Sequence, residues 1–322
     1  MVDVHTELNE FYDDWVRIGD GQRKKLEAAR DACLARLNRG MEQLGDERGQ
    51  NYQTIASFIE QGSFAMETLN QHPRGESDID IAVIFRKEDL PTTALEARKR
   101  VADALDMGGG NFVRRPNART NAVTVWYADG SHVDFAVYRE EKRMFGGTRL
   151  EHAGPDWREL DPLAVTEWFA ERVETLSPEF LTTVRKHQFR RVVRWVKMFA
   201  RSRVRWNLPG GMILSALLAE TYRPHRKRDD IALYATLKAT VARLEDSLVV
   251  RNPVDRSHEL TRNPKRLAQM KDLLAALADA LDELATINEG ACTRKKTLRV
   301  WGKFFNHGYW REAAVDEPRQ RA

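Results

Sequence analysis

The sequence predicts an α+β fold in which a core with a mixed or antiparallel sheet is followed by a helical lobe. Two observations predict it. The runs rich in β-branched and aromatic residues all lie before Pro162, and beyond it the pattern is helical and interrupted by prolines. We therefore expect two domains, residues 1–165 with a long N-terminal helix and residues 166–322, with a cleft between the two lobes.

In the first half, residues 22–44 place apolar side chains at helical spacing among charged neighbours, which predicts a long amphipathic helix. Residues 54–60 are β-branched or aromatic at several positions and predict a strand that enters a turn. Residues 79–85 predict a clearer strand, and residues 95–105 a helix.

A hairpin is predicted next. Residues 122–127 and 132–138 are both rich in strand-forming residues, and Asp129-Gly130 lies between them. Asp-Gly favours a tight turn because glycine tolerates the positive φ that such turns need. The helical half ends in an aromatic cluster that we expect to pack on the core: Trp301, Phe304, Phe305, Tyr309 and Trp310.

Composition indicates a folded, soluble protein. Of the 322 residues, 42% are apolar, and there are eight Trp and thirteen Phe. No run of about 18 uncharged apolar residues occurs, and the first residues are acidic rather than basic, so we expect a cytoplasmic protein with no membrane contact. Cys33 and Cys292 belong to no Cys/His cluster, which predicts neither a disulfide framework nor a structural zinc.

Basic residues are concentrated between residues 185 and 205, although the net charge is only +4. Such a segment favours an anionic partner, either nucleic acid or a nucleoside triphosphate. Lys197 is interpreted as a point charge on the phosphates, and Arg191, Arg194 and Arg201 as a more general positive field around the cleft. The alternative is a basic, solvent-facing stripe on a helix.

Three aspartates are the candidate metal ligands. Asp78 and Asp80 are two apart on a predicted strand, so both project from one face, and Asp134 lies on another predicted strand. Carboxylates placed side by side repel each other unless a cation lies between them, and Mg²⁺ prefers oxygen ligands. The alternative is that they are surface acids on the solvated face of a sheet.

Gly62-Ser63 comes before these acids in the sequence, and a single turn would bring it within reach of Asp78. The glycine permits close approach of a phosphate, and the serine hydroxyl can donate a hydrogen bond to it. Phosphoryl transfer from a nucleoside triphosphate uses two metal ions that are held by carboxylates. The three aspartates and Gly62-Ser63 together therefore predict phosphoryl transfer.

These motifs resemble those of the DNA-polymerase-β-like nucleotidyltransferases: Gln61-Gly62-Ser63-Phe64, Thr68, Ser77-Asp78-Ile79-Asp80-Ile81 and Val133-Asp134-Phe135. Residues 61–85 most resemble the bacterial CD-NTases, relatives of cyclic GMP-AMP synthase and of oligoadenylate synthase. Lys197 and Ser215 match, in order and spacing, two family residues that contact the donor triphosphate. The residues alone leave open that Ser215 bonds back to the preceding helical turn.

The resemblance implies a polymerase-β-like core with its active site in the cleft before the helical lobe. It implies a Mg²⁺-dependent enzyme that joins nucleoside triphosphates, ATP among them, into a cyclic di- or trinucleotide and releases pyrophosphate, in anti-phage (CBASS) signalling. Asp78 and Asp80 would hold two Mg²⁺ ions, for which Mn²⁺ can substitute. Asp134 would complete the site, and Gly62, Ser63, Lys197 and Ser215 would hold the triphosphate.

As partners, the resemblance implies regulator or effector proteins of a defence operon. Zinc-dependent DNA binding is not expected, because the sequence has no Cys/His module. Two alternatives stay open: a polymerase-β-like enzyme that makes linear oligonucleotides or modifies an RNA, a protein or a small molecule, and an inactive nucleotide-binding scaffold.

Overall fold

The computed structural model describes residues 2–71, 78–110, 112–143, 146–177, 186–288 and 292–315. The chain divides into two units. One, the sheet unit, is Ile18–Glu167. The other, the helical unit, is Met1–Arg17 with Trp168–Ala322. The sequence placed residues 1–17 in the catalytic core, whereas they group with the helical unit.

The described residues form eleven α-helices and seven strands. The helices are α1 His5–Phe11, α2 Asp20–Arg48, α3 Gly62–Ala65, α4 Ala94–Met107, α5 Ala164–Leu176, α6 Gln188–Arg201, α7 Gly211–Thr221, α8 Asp229–Asp246, α9 Pro264–Ala285, α10 Arg294–Phe305 and α11 Tyr309–Ala313. The strands are β1 Ser57–Gln61, β2 Asp78–Arg86, β3 Arg114–Ala118, β4 Val123–Trp126, β5 His132–Lys142, β6 Thr148–Ala153 and β7 Trp157–Glu159. A π-helical turn, Tyr12–Val16, follows α1, and a 3₁₀ turn, Lys87–Asp89, follows β2.

The seven strands make one mixed sheet. Its main order is β1-β2-β5-β4-β3, and β6 pairs with both β5 and β7. The β2–β5 pair is parallel, whereas the other pairs are antiparallel. Because β2 and β5 are neighbours in the same direction, residues from distant parts of the sequence stand opposite each other at the centre of the sheet.

One face of this sheet is packed against helices. Ile81 and Val83 of β2 join Phe135 of β5 in a buried cluster that includes Leu37 of α2 and Val101 of α4. Burying each of these side chains contributes about 1.5–3 kcal/mol, an upper figure that assumes an extended unfolded chain. The alternation of β2 and β5 leaves their other side chains on the opposite face, where the three aspartates lie.

The helical unit is organised around α6, whose side chains are almost all buried. The predicted C-terminal aromatic cluster packs here as expected. Phe11 of α1 contacts the rings of Phe305 and Trp310 at centroid distances of 4.8 and 5.3 Å. This contact gives a physical reason for residues 1–17 to group with this unit.

Most predicted elements of the sheet unit are confirmed. The long helix runs as α2, the two strands as β1 and β2, and the hairpin as β4 and β5 around Gly130, whose φ is +84°. Three strands were missed, namely β3, β6 and β7. β3 and β7 are edge strands among the described residues, where no continuous apolar run is needed. β6 is paired on both sides but is also mostly polar, with Thr148, Arg149, Glu151 and His152. None of the described helices has the length and apolar character needed to cross a membrane.

Candidate active site

A row of polar side chains crosses the face of the sheet opposite to the one packed against α2 and α4. Strand pairing places Gln61 of β1 opposite Asp80 of β2, and Asp80 opposite Asp134 of β5. Thr124 of β4 stands opposite Asp134, and Asn117 of β3 opposite Thr124. Directly paired residues point to the same side of a sheet, so backbone register alone aligns the two acids.

Asp78 lies on the same face, two residues before Asp80, and is paired with His132 of β5. Neighbouring strands lie about 4.8 Å apart, and positions i and i+2 about 6.8 Å apart, so the three acids form a triangle across β2 and β5. Within the described residues, no three Asp, Glu, His or Cys side chains are arranged to hold one metal ion. The predicted acids therefore share a face but are not gathered around a common centre.

A different side chain lies near each carboxylate oxygen of Asp134. The Thr124 hydroxyl donates a hydrogen bond to its Oδ1 atom, and Nε2 of His132 lies 3.9 Å from its Oδ2 atom. Thr124 is fully buried. A buried hydroxyl bonded to one carboxylate oxygen fixes the rotamer of the acid.

The Gly62-Ser63 turn lies directly against Asp80. Gly62 begins α3 with a φ of +63°, and a Cβ atom added there would overlap the carboxylate of Asp80. Only glycine satisfies both the left-handed backbone and this close approach. The hydroxyl oxygen of Ser63 is buried and has no hydrogen-bond partner within the described chain. Ser77, which belongs to the same motif, lies outside the described residues.

A pocket of about 570 Å³ lies in front of this face and is lined in part by Asp80, Asp134, Arg119 and Asn121. Its volume is in the range of small-molecule and nucleotide sites. Gln61 forms one wall, and its side-chain amide donates to the Pro162 carbonyl at 2.8 Å.

Two titratable side chains of the same pocket stay neutral near pH 7. Burial raises the pKa of Tyr138 to about 12. Burial also lowers the pKa of His152, whose Nε2 lies 2.9 Å from the Asn121 carbonyl oxygen. The positive charge on the lining therefore comes from Arg119.

Sequence reasoning missed the pocket residues Thr124, Arg119, Asn121 and His152. Thr124 had a usable signal, because counting back from the predicted Asp129-Gly130 turn pairs it with Asp134. No sequence signal could have found the loop residues Arg119 and Asn121 or His152 of β6, because their position depends on the order of the strands in the sheet.

In the helical unit, Lys197 and Ser215 are brought together by α7. Lys197 is 3% exposed, so it does not belong to a solvent-facing stripe. A Cβ atom added to Gly211, the first residue of α7, would lie 3.2 Å from its Nζ atom. Ser215 follows one turn later on α7, and its buried hydroxyl has no hydrogen-bond partner among the described residues, so the expected alternative of a bond to the preceding turn is not observed.

Two arginines of the basic segment have structural roles. Arg191 forms a buried ion pair with Asp229, with Nε 2.8 Å from Oδ2 and Nη2 3.0 Å from Oδ1. Arg194 is also buried and donates to the Tyr12 hydroxyl at 3.0 Å. The Asp229 carboxylate offsets the charge of Arg191, which argues against a contribution of Arg191 to a general positive field. The Tyr12 hydroxyl is neutral, so for Arg194 that interpretation stays a prediction.

Fold and site together define a class: this is an α+β protein of the polymerase-β-like nucleotidyltransferase type, with paired strand acids and a Gly-Ser turn beside them. Residues 56–138 match the family described as "Cyclic GMP-AMP synthase DncV-like, nucleotidyltransferase domain". The match is confined to this segment, so residues 56–138 are a DncV-like nucleotidyltransferase domain.

Individual relatives agree. The chain is 22% identical over 237 residues to a cyclic GMP-AMP synthase of Escherichia albertii; the match covers 70% of this chain but only 50% of that protein. Its fold is similar to that of the Vibrio cholerae DncV cyclic AMP-GMP synthase in complex with nonhydrolyzable GTP, with a TM-score of 0.70, 15% identity, and coverage of 95% of this chain and 96% of that one. It is also similar to the Bradyrhizobium diazoefficiens CD-NTase CdnG in complex with GTP, with a TM-score of 0.67 and 18% identity. The match covers 98% of this chain and 99% of that one.

Proposed function

We propose that this protein is a metal-dependent nucleotidyltransferase that joins nucleoside triphosphates into a cyclic di- or trinucleotide and releases pyrophosphate. The observation that carries the proposal is the register pairing of Asp80 with Asp134 beside a glycine turn that packs on Asp80. The match of residues 56–138 to the DncV-like domain supports it.

The carboxylates fit a divalent cation by their chemistry. All three are oxygen donors on one sheet face, and Thr124 already fixes the rotamer of Asp134. We assign Asp78 and Asp80 to two Mg²⁺ ions, or Mn²⁺ in their place, and Asp134 to completing the site. Bound there, the metal would supply Lewis-acid stabilisation of the phosphates and a lower pKa for the attacking hydroxyl.

The Gly-Ser turn is assigned to the triphosphate. Gly62 lets the backbone approach closely, and the buried Ser63 hydroxyl is a donor still to be satisfied. Asp80 and the turn are in contact, so the phosphate-binding and metal-binding groups keep a fixed separation. This fixed geometry orients the α-phosphorus for in-line attack.

We assign Lys197 and Ser215 to the donor triphosphate as well. The first N–H groups of a helix carry partial positive charge, and the Lys197 ammonium lies against the first residue of α7. The Lys197 ammonium and the N–H groups at the start of α7 are both donors, so one anion can be bound by the two together. The unsatisfied Ser215 hydroxyl is a further donor on the same helix.

In cells, the product would act as a signal in anti-phage (CBASS) defence, with regulator or effector proteins as partners. This role rests on the family resemblance alone.

The test is product analysis. The full chain is incubated with labelled ATP, GTP, CTP and UTP and Mg²⁺ or Mn²⁺, then treated with phosphatase and examined by mass spectrometry. We expect a phosphatase-resistant cyclic product that falls at least about 10³-fold in the Asp78→Asn/Asp80→Asn variant. The matched control, Asp103→Asn/Asp106→Asn, removes two acids on α4 and should keep wild-type activity.

Other outcomes separate the alternatives. A linear, phosphatase-sensitive product would indicate an oligonucleotide-forming relative. Pyrophosphate release only in the presence of RNA, protein or a small-molecule acceptor would point to that acceptor. Absence of metal-dependent nucleotide binding and turnover would favour the inactive scaffold.

A further inference from the structure

The loop that joins β3 to β4 carries two residues of the pocket in front of the acids, Arg119 and Asn121. Residues 119–121 are exposed. The Arg119 side chain has no hydrogen bond or ion pair within the described residues, so its guanidinium is available to a ligand in the pocket. A loop as exposed as this one needs a fixed support if it is to present a side chain at one position.

Arg98 of α4 supplies such a support. It is 4% exposed, and its Nη1 atom donates to the Thr120 carbonyl at 2.8 Å and to the Ala153 carbonyl at 2.9 Å. The same nitrogen also donates to the Gly154 carbonyl. One buried guanidinium therefore ties the β3–β4 loop to the end of β6.

The charge of Arg98 is compensated by these carbonyl groups. In the part of the chain that the structure describes, no carboxylate pairs with it, and burial lowers the pKa of its guanidinium. A buried cation without a counter-ion is costly, so it depends on close contact with the carbonyl dipoles. The loop cannot move away from Arg98 without leaving that charge less well compensated.

His152 of β6 holds the loop at a second point. Its Nε2 atom lies 2.9 Å from the Asn121 carbonyl oxygen. Within the loop, the Arg119 N–H donates to the Ala122 carbonyl at 2.8 Å. The backbone is therefore anchored at the successive carbonyls of Thr120 and Asn121, and Arg119 lies directly before the first anchor.

Arg98 acts from the opposite side of the sheet. Its neighbours Ala97 and Val101 on α4 belong to the buried cluster of the packed face. The pocket lies on the other face, with Asp80 and Asp134. Among the described residues that line the pocket, Arg98 does not occur, so its effect on a ligand there passes through the loop.

We propose that Arg98 is a positioning residue that fixes the β3–β4 loop, so that Arg119 meets a nucleotide in the pocket. This role rests on the proposed function for the identity of the ligand as a nucleotide. It adds to that function, because neither arginine belongs to the groups assigned to the metal ions or the triphosphate. Without Arg98 the loop is no longer held, and the nucleotide must order Arg119 before it gains the charge-assisted contact.

Limited trypsin digestion of the full chain tests the anchoring without any need for catalysis. Trypsin cleaves after arginine, so an opened loop yields a fragment that begins at Thr120, which mass spectrometry identifies. Arg98→Met should be cut there at least about tenfold faster than wild type, because hydrogen bonds from a charged donor are lost.

Arg100→Met is the matched control. Arg100 is a half-buried arginine of the same helix, and it donates to the Asp89 carbonyl at 2.9 Å, away from the loop. This variant should be cut after Arg119 at the wild-type rate. If Arg98→Met does not fold, as judged by thermal melting, Arg98→Lys replaces it; lysine keeps the charge but has no fork of donors, so cleavage should be about threefold faster than in wild type.

Equilibrium dialysis with labelled nonhydrolysable analogues of ATP and GTP measures the effect on binding. Arg98→Met and Arg119→Ala should each bind at least about tenfold more weakly than wild type. The double variant should bind within about twofold of Arg119→Ala, because Arg98 acts through Arg119 and the two losses are not independent. Arg100→Met should bind as wild type.

Three results would overturn the proposal: equal cleavage after Arg119 in Arg98→Met and Arg100→Met, wild-type affinity in Arg98→Met, or losses that multiply in the double variant. In each of these cases a metal-dependent cyclic product would still support the proposed function. Conversely, faster cleavage and coupled losses of affinity in a protein that makes no product would support the role of Arg98 and reject the proposed function.

Discussion

The acid row of the sheet unit and a pocket of about 590 Å³ in the helical unit are concave regions of opposite charge that are built in opposite ways. We call the second the arginine pocket, because Arg172, Arg243, Arg251 and Arg256 contribute to its lining. Asp80 and Asp134 are short side chains whose positions follow from the hydrogen-bonded register of β2 and β5. Arg243 is a long side chain whose position depends on three hydrogen bonds made by its own guanidinium. Backbone geometry therefore sets the first site and side-chain bonding the second, so we expect mutations to affect them differently.

The largest effect in this comparison is expected for Gly62→Ala. The added Cβ would displace the Asp80 carboxylate, and the residue would also have to keep a φ of +63°. A shift of about 1 Å at a reacting group costs about 100-fold in rate, so we expect a loss of that order in cyclic product.

Gly109→Ala is the matched control. Gly109 also has a positive φ, +74°, but no atom lies within 4 Å of an added Cβ. It should lose about 1 kcal/mol of stability in urea denaturation and keep its activity. Equal loss of activity in both variants would show that backbone strain, and not the Asp80 contact, matters at Gly62.

Thr124→Val should have an intermediate effect. Valine keeps the shape of threonine but removes the hydroxyl that holds Asp134. We expect about a tenfold lower rate and a higher Mg²⁺ concentration for half-maximal activity, because groups that orient metal ligands have effects of this size. Thr124→Ser keeps the hydroxyl and should restore the Mg²⁺ dependence; if it does not, packing on β4 explains the defect.

Arg243→Lys should destabilise the helical unit modestly. Lysine keeps the charge but cannot reach the Glu220 carboxylate and two carbonyls in a fixed fork. We expect about 1 kcal/mol less stability towards urea. Unchanged synthesis of cyclic product would sharpen the contrast between the two regions.

The smallest effect concerns pH. Burial lowers the pKa of His152 below 6.5, so the unfolded chain binds a proton more readily than the folded one. The free energy of unfolding should therefore fall as pH drops from about 6.5 towards the folded pKa. In His152→Gln the free energy of unfolding should fall less steeply with decreasing pH, as measured by urea denaturation at several pH values. If both proteins show the same pH dependence, other titratable groups determine it.

The sequence predicted the parts of the site that depend on local pattern. Alternation placed Asp78 and Asp80 on one face of β2, and the Asp129-Gly130 turn placed Asp134 in a hairpin. The parallel pairing of β2 with β5 could not be predicted, because it depends on strand order and not on either strand alone. The arginine pocket could not be predicted for the same reason, because its lining combines residues of α5 with a loop that is distant in sequence.

Sequence pattern was also misleading where charge and burial conflict. Arg191 and Arg194 lie on a segment that is basic throughout, yet both are buried against polar partners of the same unit. Composition reports the charge of a segment, whereas the distribution of its partners, such as Asp229, appears only in three dimensions.

The parallel pairing of β2 with β5 also bears on how this protein folds. Its two strands are distant in sequence, so Asp80 and Asp134 meet only after a long loop has closed, and such contacts form slowly. Bringing two carboxylates together then adds repulsion at a late step. A divalent cation present during refolding should relieve it, so Mg²⁺ would influence the rate at which the native sheet appears as well as the reaction it supports.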